Sequence, residues 1–105
     1  MPQTKKTRVY AGDRTIDGCL ATVDGKPLDP AYSVKMISDN GFEWSYEGIG
    51  PLQLSLAILN DHLDDSTQAL AHYQVFMERV VANFNNEWEM TSQDISNALD
   101  NIAKT

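Results

Sequence analysis

Residues 41–59, GFEWSYEGIGPLQLSLAIL, decide the fold because a strand pattern and a helix pattern meet inside them. Aromatic and polar side chains alternate over 42–46, with the period of two that is typical of a strand. Pro51 suits the first turn of a helix because it has no N–H group to leave unsatisfied, and apolar residues then recur at helical spacing as far as Leu63. The stretch therefore predicts a strand that enters a helix through a glycine-flanked turn.

Three further strands are predicted before this stretch, over 8–11, 19–23 and 33–37, each bounded by turn residues. Asp24-Gly25 follows the second of these strands and is a preferred sequence for a tight hairpin turn, in which both central residues need positive φ. Two prolines in 26–30 cannot donate to a strand ladder, so they predict an irregular connection. With the strand over 42–46, the first half of the chain predicts a small, mostly antiparallel sheet.

The second half of the chain is predicted to be helical. Asp65 or Ser66 is a suitable N-cap for a second helix, because their side chains can accept from the free N–H groups of its first turn. The apolar stripe of this helix begins at Leu70, and we expect the helix to end near Asn85-Asn86.

A third helix is predicted to follow Thr91, with Asp94 three places later in a capping-box arrangement. Strands followed by helices, without strand–helix alternation, indicate an α+β domain. We therefore predict a sheet of three to four strands in the N-terminal half, packed by three C-terminal helices. The domain is expected to span 8–105, after a flexible basic N-terminus over 1–7.

The net charge of −7 is unevenly distributed along the 105 residues. Residues 1–14 hold four basic side chains against one acid, whereas residues 15–105 hold four against fourteen. Such a body is a poor candidate for direct binding to nucleic acid, which needs clustered Lys and Arg. It is suited to a partner with a basic surface, although acidity can also serve solubility alone. A single cysteine, no signal peptide and no membrane-length apolar run predict a cytoplasmic protein.

The central stretch resembles a family of short proteins from phages and prokaryotes that is catalogued only as a domain of unknown function. The residues that carry the resemblance are Gly41-Phe42-Glu43-Trp44, Tyr46, Gly48, Gly50-Pro51, Gln53-Leu54 and Leu56-Ala57-Ile58-Leu59, with Tyr10-Ala11-Gly12 and Asp24-Gly25-Lys26-Pro27-Leu28 upstream and Leu70, Tyr73-Gln74, Phe76, Val80-Val81-Ala82, Trp88, Thr91 and Ile95 downstream. Ser45 and Glu47 depart from the pattern, which has small residues such as glycine there. The resemblance implies a fold and a phage or mobile-element setting, and it supplies no active site.

The turn over 47–51 is one candidate ligand site, because free N–H groups at a helix start can bind phosphate or carboxylate. The turn has no Lys or Arg, however, while Pro51 removes a donor and Glu47 adds negative charge. These features favour a structural corner. The aromatic row over 42–46 is likewise expected to be core, since a base-stacking platform would need basic neighbours. A mixed case remains open, in which Trp44 or Tyr46 lies at the rim of the sheet and serves as a contact anchor.

Catalytic and metal-binding groups are scattered. His62 and His72 fall on different predicted helices at a spacing that is no recognised ligand motif, and the nearby aspartates point apart around a helix end. Cys19 has neither His nor Lys close in sequence, and no nucleophile elbow or P-loop occurs. We therefore expect a non-enzymatic protein without cofactor or metal.

The acidic surface leads to the functional prediction of a protein-binding protein, such as a stoichiometric inhibitor of a host nucleic-acid-binding defence complex. The partner would be a host protein with a basic surface, with no direct nucleic-acid or membrane binding. The candidate contact residues are Trp44, Tyr46, Glu47, Asp61, Asp64 and Asp65. Two alternatives remain: a structural or assembly accessory that acts as a homodimer or larger homo-oligomer, and a small ligand-binding domain that uses the turn over 47–51.

Overall fold

The computed structural model describes residues 7–104, in which a four-stranded antiparallel sheet packs against helices. The elements in chain order are β1 (Val9–Thr15), β2 (Gly18–Val23), β3 (Lys26–Pro27), α1 (Ile49–Leu63), α2 (Ser66–Arg79), a 3₁₀ turn (Val81–Asn83), β4 (Glu87–Thr91) and α3 (Ser92–Ala103). The strand order is β3-β2-β1-β4, so that β4 and β3 form the edges. This confirms the predicted α+β class with a small antiparallel sheet and three helices. Of the predicted N-terminal segment over 1–7, only Thr7 lies within the described residues.

The turn after β2 and the N-caps of α2 and α3 lie where the sequence predicts them. Asp24 and Gly25 both have positive φ, 52° and 81°, in the turn between β2 and β3. Asp65 caps α2 by accepting from the N–H of Gln68. The capping box of α3 is complete, since Thr91 and Asp94 each accept from the other's backbone N–H.

The strand predicted over 33–37 is wrong. Its backbone groups are bonded to the side chain of Gln53, which is completely buried in α1. Gln53 Oε1 accepts from the N–H groups of Ile37 and Ser38 at 2.7 and 3.1 Å, and Gln53 Nε2 donates to the carbonyl of Lys35 at 3.2 Å. Because one buried amide satisfies groups that a neighbouring strand would otherwise take, this segment packs against the helix as a loop.

The strand predicted over 42–46 is also wrong, since this segment is irregular. Ser45 has a φ of 79°, which a strand does not allow, and its N–H bonds to the carbonyl of Val81. The sheet takes its other two strands instead from β3, which lies in the segment predicted to be an irregular connection, and from β4. Two helix details differ as well: α2 ends at Arg79, before the predicted Asn85-Asn86, and Leu70 lies on its outer side with 41% of its surface exposed.

Aromatic side chains join the sheet to the helices. Trp44 is completely buried and meets Trp88 edge to face, with ring centroids 5.8 Å apart, while Phe84 stacks on Trp88 at 4.3 Å. Trp88 in turn lies directly against Gly12 of β1, where any side chain would collide with the indole. Among residues 7–104, the helices thus pack on the face of the sheet that carries Tyr10 and Trp88. Within 7–104, no helix has both the length and the apolar character to cross a membrane.

Candidate protein-binding surface

In the part of the chain that the structure describes, one face of the sheet carries no helix. Along β1, Tyr10 and Gly12 are buried against the core, whereas the intervening Ala11 and Asp13 point to the opposite side and are at least partly exposed. Since successive side chains of a strand alternate between faces, the partners of Ala11 and Asp13 on β2 and β4 share that side. We call this surface the outer face, and its members are Ala11, Asp13, Leu20, Thr22, Glu87 and Glu89.

The strand register fixes how the outer face is arranged. Asp13 lies opposite Leu20 on β2 and opposite Glu87 on β4, and Ala11 lies opposite Glu89. Leu20 is 59% exposed and helps to line a shallow groove of about 190 Å³ with β1. The outer face therefore presents an apolar centre with carboxylates beside it, a composition suited to contact with another macromolecule.

The carboxylates of the outer face lack cationic partners. No ion pair within residues 7–104 engages Asp13, Glu87 or Glu89. Asp13 and Glu87 face each other across β1 and β4, an arrangement that is destabilising for like charges. Within the described part of the chain, this negative charge is therefore uncompensated, at a position fixed by backbone pairing.

At the other side of the same hairpin, Arg14 holds the segment that leads into α1. Arg14 Nη2 donates to the carbonyl of Trp44 at 3.0 Å and pairs with Glu43 at 3.3 Å, and its guanidinium lies 5.4 Å from the Trp44 ring centroid. Burial, together with a hydrogen bond to Glu43, raises the pKa of the Cys19 thiol. A raised pKa disfavours the thiolate, so this cysteine lacks the activation of a nucleophile.

The predicted contact residues at the start of α1 divide between core and surface. Trp44 is completely buried, so it is a core residue and not an accessible anchor. Tyr46 is 49% exposed and Glu47 is exposed. The Tyr46 ring lies over Gly48, where a Cβ would be 2.8 Å from Tyr46 Cε2. The tyrosine ring therefore packs against the turn at Gly48.

The predicted aspartates at the end of α1 have structural partners. Asp61 Oδ2 accepts from Arg8 Nη1 and from the Tyr10 hydroxyl, both at 2.6 Å. Burial, and then the bond to Asp61, raise the pKa of Tyr10. Asp64 ends α1 in the left-handed conformation and lines a cleft of about 220 Å³ with Arg8 and Asp61, while Asp65 caps α2.

The two groups of predicted contact residues do not form one site. Glu47 and Asp61 lie at opposite ends of α1, about 20 Å apart at the helical rise of 1.5 Å per residue. His62 contacts Ser96 at 3.3 Å, and residues 7–104 contain no group of three or more His, Cys, Asp or Glu side chains that could hold a metal ion.

Comparison of the sequence with protein-family models assigns the chain to a family. The model of a family of unknown function, DUF6166, matches residues 10–101. The chain belongs to this family. The DUF6166 match runs from β1 into α3 and so includes every residue of the outer face. No curated protein and no solved structure matches the chain.

The outer face of this DUF6166 chain was missed by sequence reasoning. Glu87 and Glu89 are recognisable in the sequence as surface acids, but no strand is predicted there. The signal that indicates β4 is the alternation of acid and apolar residues in Glu87-Trp88-Glu89-Met90. Asp13 and Leu20 become members of the same surface only once β1 is paired on both sides.

Proposed function

We propose that this protein is a small, acidic, non-enzymatic protein-binding protein, and that it contacts a basic surface of its partner through the outer face. The observation that carries the proposal is the pairing of Asp13 with Glu87 on a helix-free face beside the exposed Leu20. A Lys or Arg of a partner placed between these carboxylates would convert a repulsion into two attractions. Complementary charge of this kind also speeds association and selects against acidic proteins.

The partner is proposed to be a host protein whose basic surface normally binds nucleic acid, as in a defence complex that a phage or mobile element must inhibit. The acidity of residues 15–105 and the resemblance to phage proteins support this setting. A homo-oligomeric accessory is less well supported, because two copies of the outer face would repel each other. The ligand-binding alternative at 47–51 is less well supported because that turn has no Lys or Arg and Glu47 adds negative charge to it.

The exposed corner at the start of α1 is a second candidate contact surface for the same function. Tyr46 and Ile49 are 49% and 60% exposed, and Glu47 lies between them. A Tyr46→Ser variant, examined beside the outer-face variants, tells whether partner binding extends to this corner.

The test is affinity capture from a bacterial lysate with matched charge variants. The outer-face variant is Asp13→Asn/Glu87→Gln/Glu89→Gln. The control variant, Asp39→Asn/Glu78→Gln/Asp100→Asn, removes three exposed acids outside the sheet and so has the same net charge. Proteins retained by the wild type are then purified and titrated against all three forms at low and high salt.

We expect a basic protein that binds the wild type and the control variant but not the outer-face variant, with an affinity that falls as salt rises. If the two triple variants bind equally, whether both well or both poorly, the outer face has no specific part and the acidity serves solubility. If no purified protein binds the wild type at low salt, the proposed function is wrong.

A further inference from the structure

The hydrogen-bond pattern of β4 leaves one side of its backbone free. Ser92, the residue after β4, donates its N–H to the carbonyl of Arg8, the residue before β1. This bond shows which residue pairs between β1 and β4 are hydrogen bonded. Because such pairs alternate in an antiparallel ladder, Met90 and Trp88 also bond to β1, whereas Glu87 and Glu89 direct their N–H and C=O groups away from it. Among residues 7–104 no backbone group bonds to these outward groups of Glu87 and Glu89.

The opposite edge of the sheet, formed by β3, is better protected against pairing with another strand. There β3 pairs with Thr22 and Val23, contains Pro27, and is followed by a bond from the N–H of Leu28 to the carbonyl of Ala21. A short strand with a proline is a common way to close a sheet edge. Strand β4 is longer and contains no proline. It is therefore the edge of the sheet that is more open to pairing with another strand.

The charges on β4 decide which kind of chain could pair with it. A second copy that paired antiparallel through β4 would bring its own Glu87 and Glu89 against the same residues on the same face, with no cation between them. An extended segment with Lys or Arg at every second position would instead place its cations beside these glutamates. Charge complementarity therefore favours a basic strand over a second copy.

We propose that an extended basic segment of the partner adds to β4 as a fifth strand, with alternate Lys or Arg side chains on the outer face. Strand addition of this type takes its affinity from backbone hydrogen bonds and its specificity from alternate side chains. This inference rests on the proposed function and specifies how the partner is recognised. Glu89 is its central residue, because it offers both an outward backbone donor and a carboxylate.

Two substitutions at Glu89 separate the contribution of its backbone N–H group to binding from that of its carboxylate. Glu89→Thr removes the carboxylate and keeps the N–H group, whereas Glu89→Pro removes both. A proline is compatible with an edge strand where its missing N–H faces solvent, so the β1–β4 ladder is retained. Thermal melts of both variants confirm that each is folded before binding is measured.

The probes are a short acetylated peptide of alternating lysine and threonine, and a block peptide of the same composition with all lysines first. We expect the alternating peptide to bind more tightly than the block peptide. Glu89→Pro should bind it about fivefold more weakly than Glu89→Thr, which is the effect of one net hydrogen bond. In the wild type, hydrogen exchange at the Glu87 and Glu89 amides should slow when the alternating peptide is bound, with the Glu47 amide as an unchanged reference.

Equal binding by Glu89→Pro and Glu89→Thr, or unchanged exchange at Glu87 and Glu89 with saturating peptide, would overturn strand addition. If in that case a purified partner still requires the outer-face carboxylates, the proposed function stands and recognition is by side chains alone. If partner binding does not require those carboxylates, the proposed function itself fails. The exchange measurement uses the wild type and so decides the question even where Glu89→Pro does not fold.

Discussion

Removing either charge of the Asp13–Glu87 pair should stabilise the free protein. The two residues lie opposite each other on β1 and β4, at a position of the ladder that is not hydrogen bonded, where Cα atoms approach to about 4.5 Å. Both side chains are exposed and neither has an ion-pair partner among the described residues. Asp13→Asn and Glu87→Gln keep the size and shape of each side chain and remove one charge.

The expected gain follows from the geometry of the pair. The two carboxylates can turn apart to roughly 7 Å, at which distance two unit charges in water repel by about 0.6 kcal/mol. Physiological salt, with a Debye length of about 8 Å, lowers this repulsion to roughly 0.3 kcal/mol, and salt near 1 M nearly removes it. Each single substitution removes the whole repulsion, so the double substitution should add almost nothing to either one.

Urea unfolding followed by tryptophan fluorescence measures this effect, because Trp44 and Trp88 are both buried. We expect the two single variants and the double variant to raise the free energy of unfolding by about 0.3–0.6 kcal/mol at low salt, with the gain lost at high salt. Asp39→Asn, an exposed acid outside the sheet, controls for the general effect of net charge.

Four results would refute this reasoning. The single variants could be no more stable than the wild type, their effects could add in the double variant, or the gain could persist unchanged at high salt. A gain of equal size in Asp39→Asn would show that overall charge and not the cross-strand pair is responsible. Additive effects would show that the side chains of Asp13 and Glu87 are too far apart to interact.

Two further predictions concern the core and its pH dependence. Gly12→Ala should lower the free energy of unfolding by about 1–3 kcal/mol, because the new Cβ would lie 2.1 Å from Trp88 Nε1, and an unchanged urea midpoint would contradict this contact. Tyr10→Phe should be less stable than the wild type near neutral pH, because it loses the bond to Asp61. Since the folded pKa of Tyr10 is raised, its stabilisation is present below the unfolded pKa near 10 and is lost as pH rises towards the folded pKa. Urea titrations above pH ~10 should therefore show a steeper decline for the wild type than for Tyr10→Phe, and parallel declines would contradict the assignment.

Sequence reasoning succeeded where the deciding chemistry is local. The caps at Asp65 and Thr91 and the turn at Asp24-Gly25 depend on residues within three positions of one another, and the structure has all of them. Their side chains or backbone conformations satisfy groups of their own segment. No knowledge of the rest of the fold is needed to predict them.

Sequence reasoning failed where groups distant in sequence compete for the backbone. The alternation over 42–46 is a real strand pattern, yet Ser45 there has a positive φ and donates to the carbonyls of Val81 and Phe84, and the segment joins no ladder. Residues 33–37 are likewise held by Gln53. The candidate surface was hidden for the same reason, since Asp13 and Glu87 become neighbours only through the pairing of β1 with β4.

The carboxylates of the outer face have a different part in the proposed binding from Leu20 and the backbone edge of β4. Relief of a repulsion of about 0.6 kcal/mol changes an equilibrium constant by only about threefold. Each exposed ion pair with the partner adds only about 0–1 kcal/mol, so the carboxylates alone cannot hold a partner. Leu20 can contribute more, since complete burial of a leucine is worth about 1.5–3 kcal/mol and 59% of its surface is exposed. Each bond to the free edge of β4 adds about 1 kcal/mol. We therefore expect Asp13, Glu87 and Glu89 to decide which partners approach and how fast, and Leu20 and the β4 edge to decide how long a partner stays.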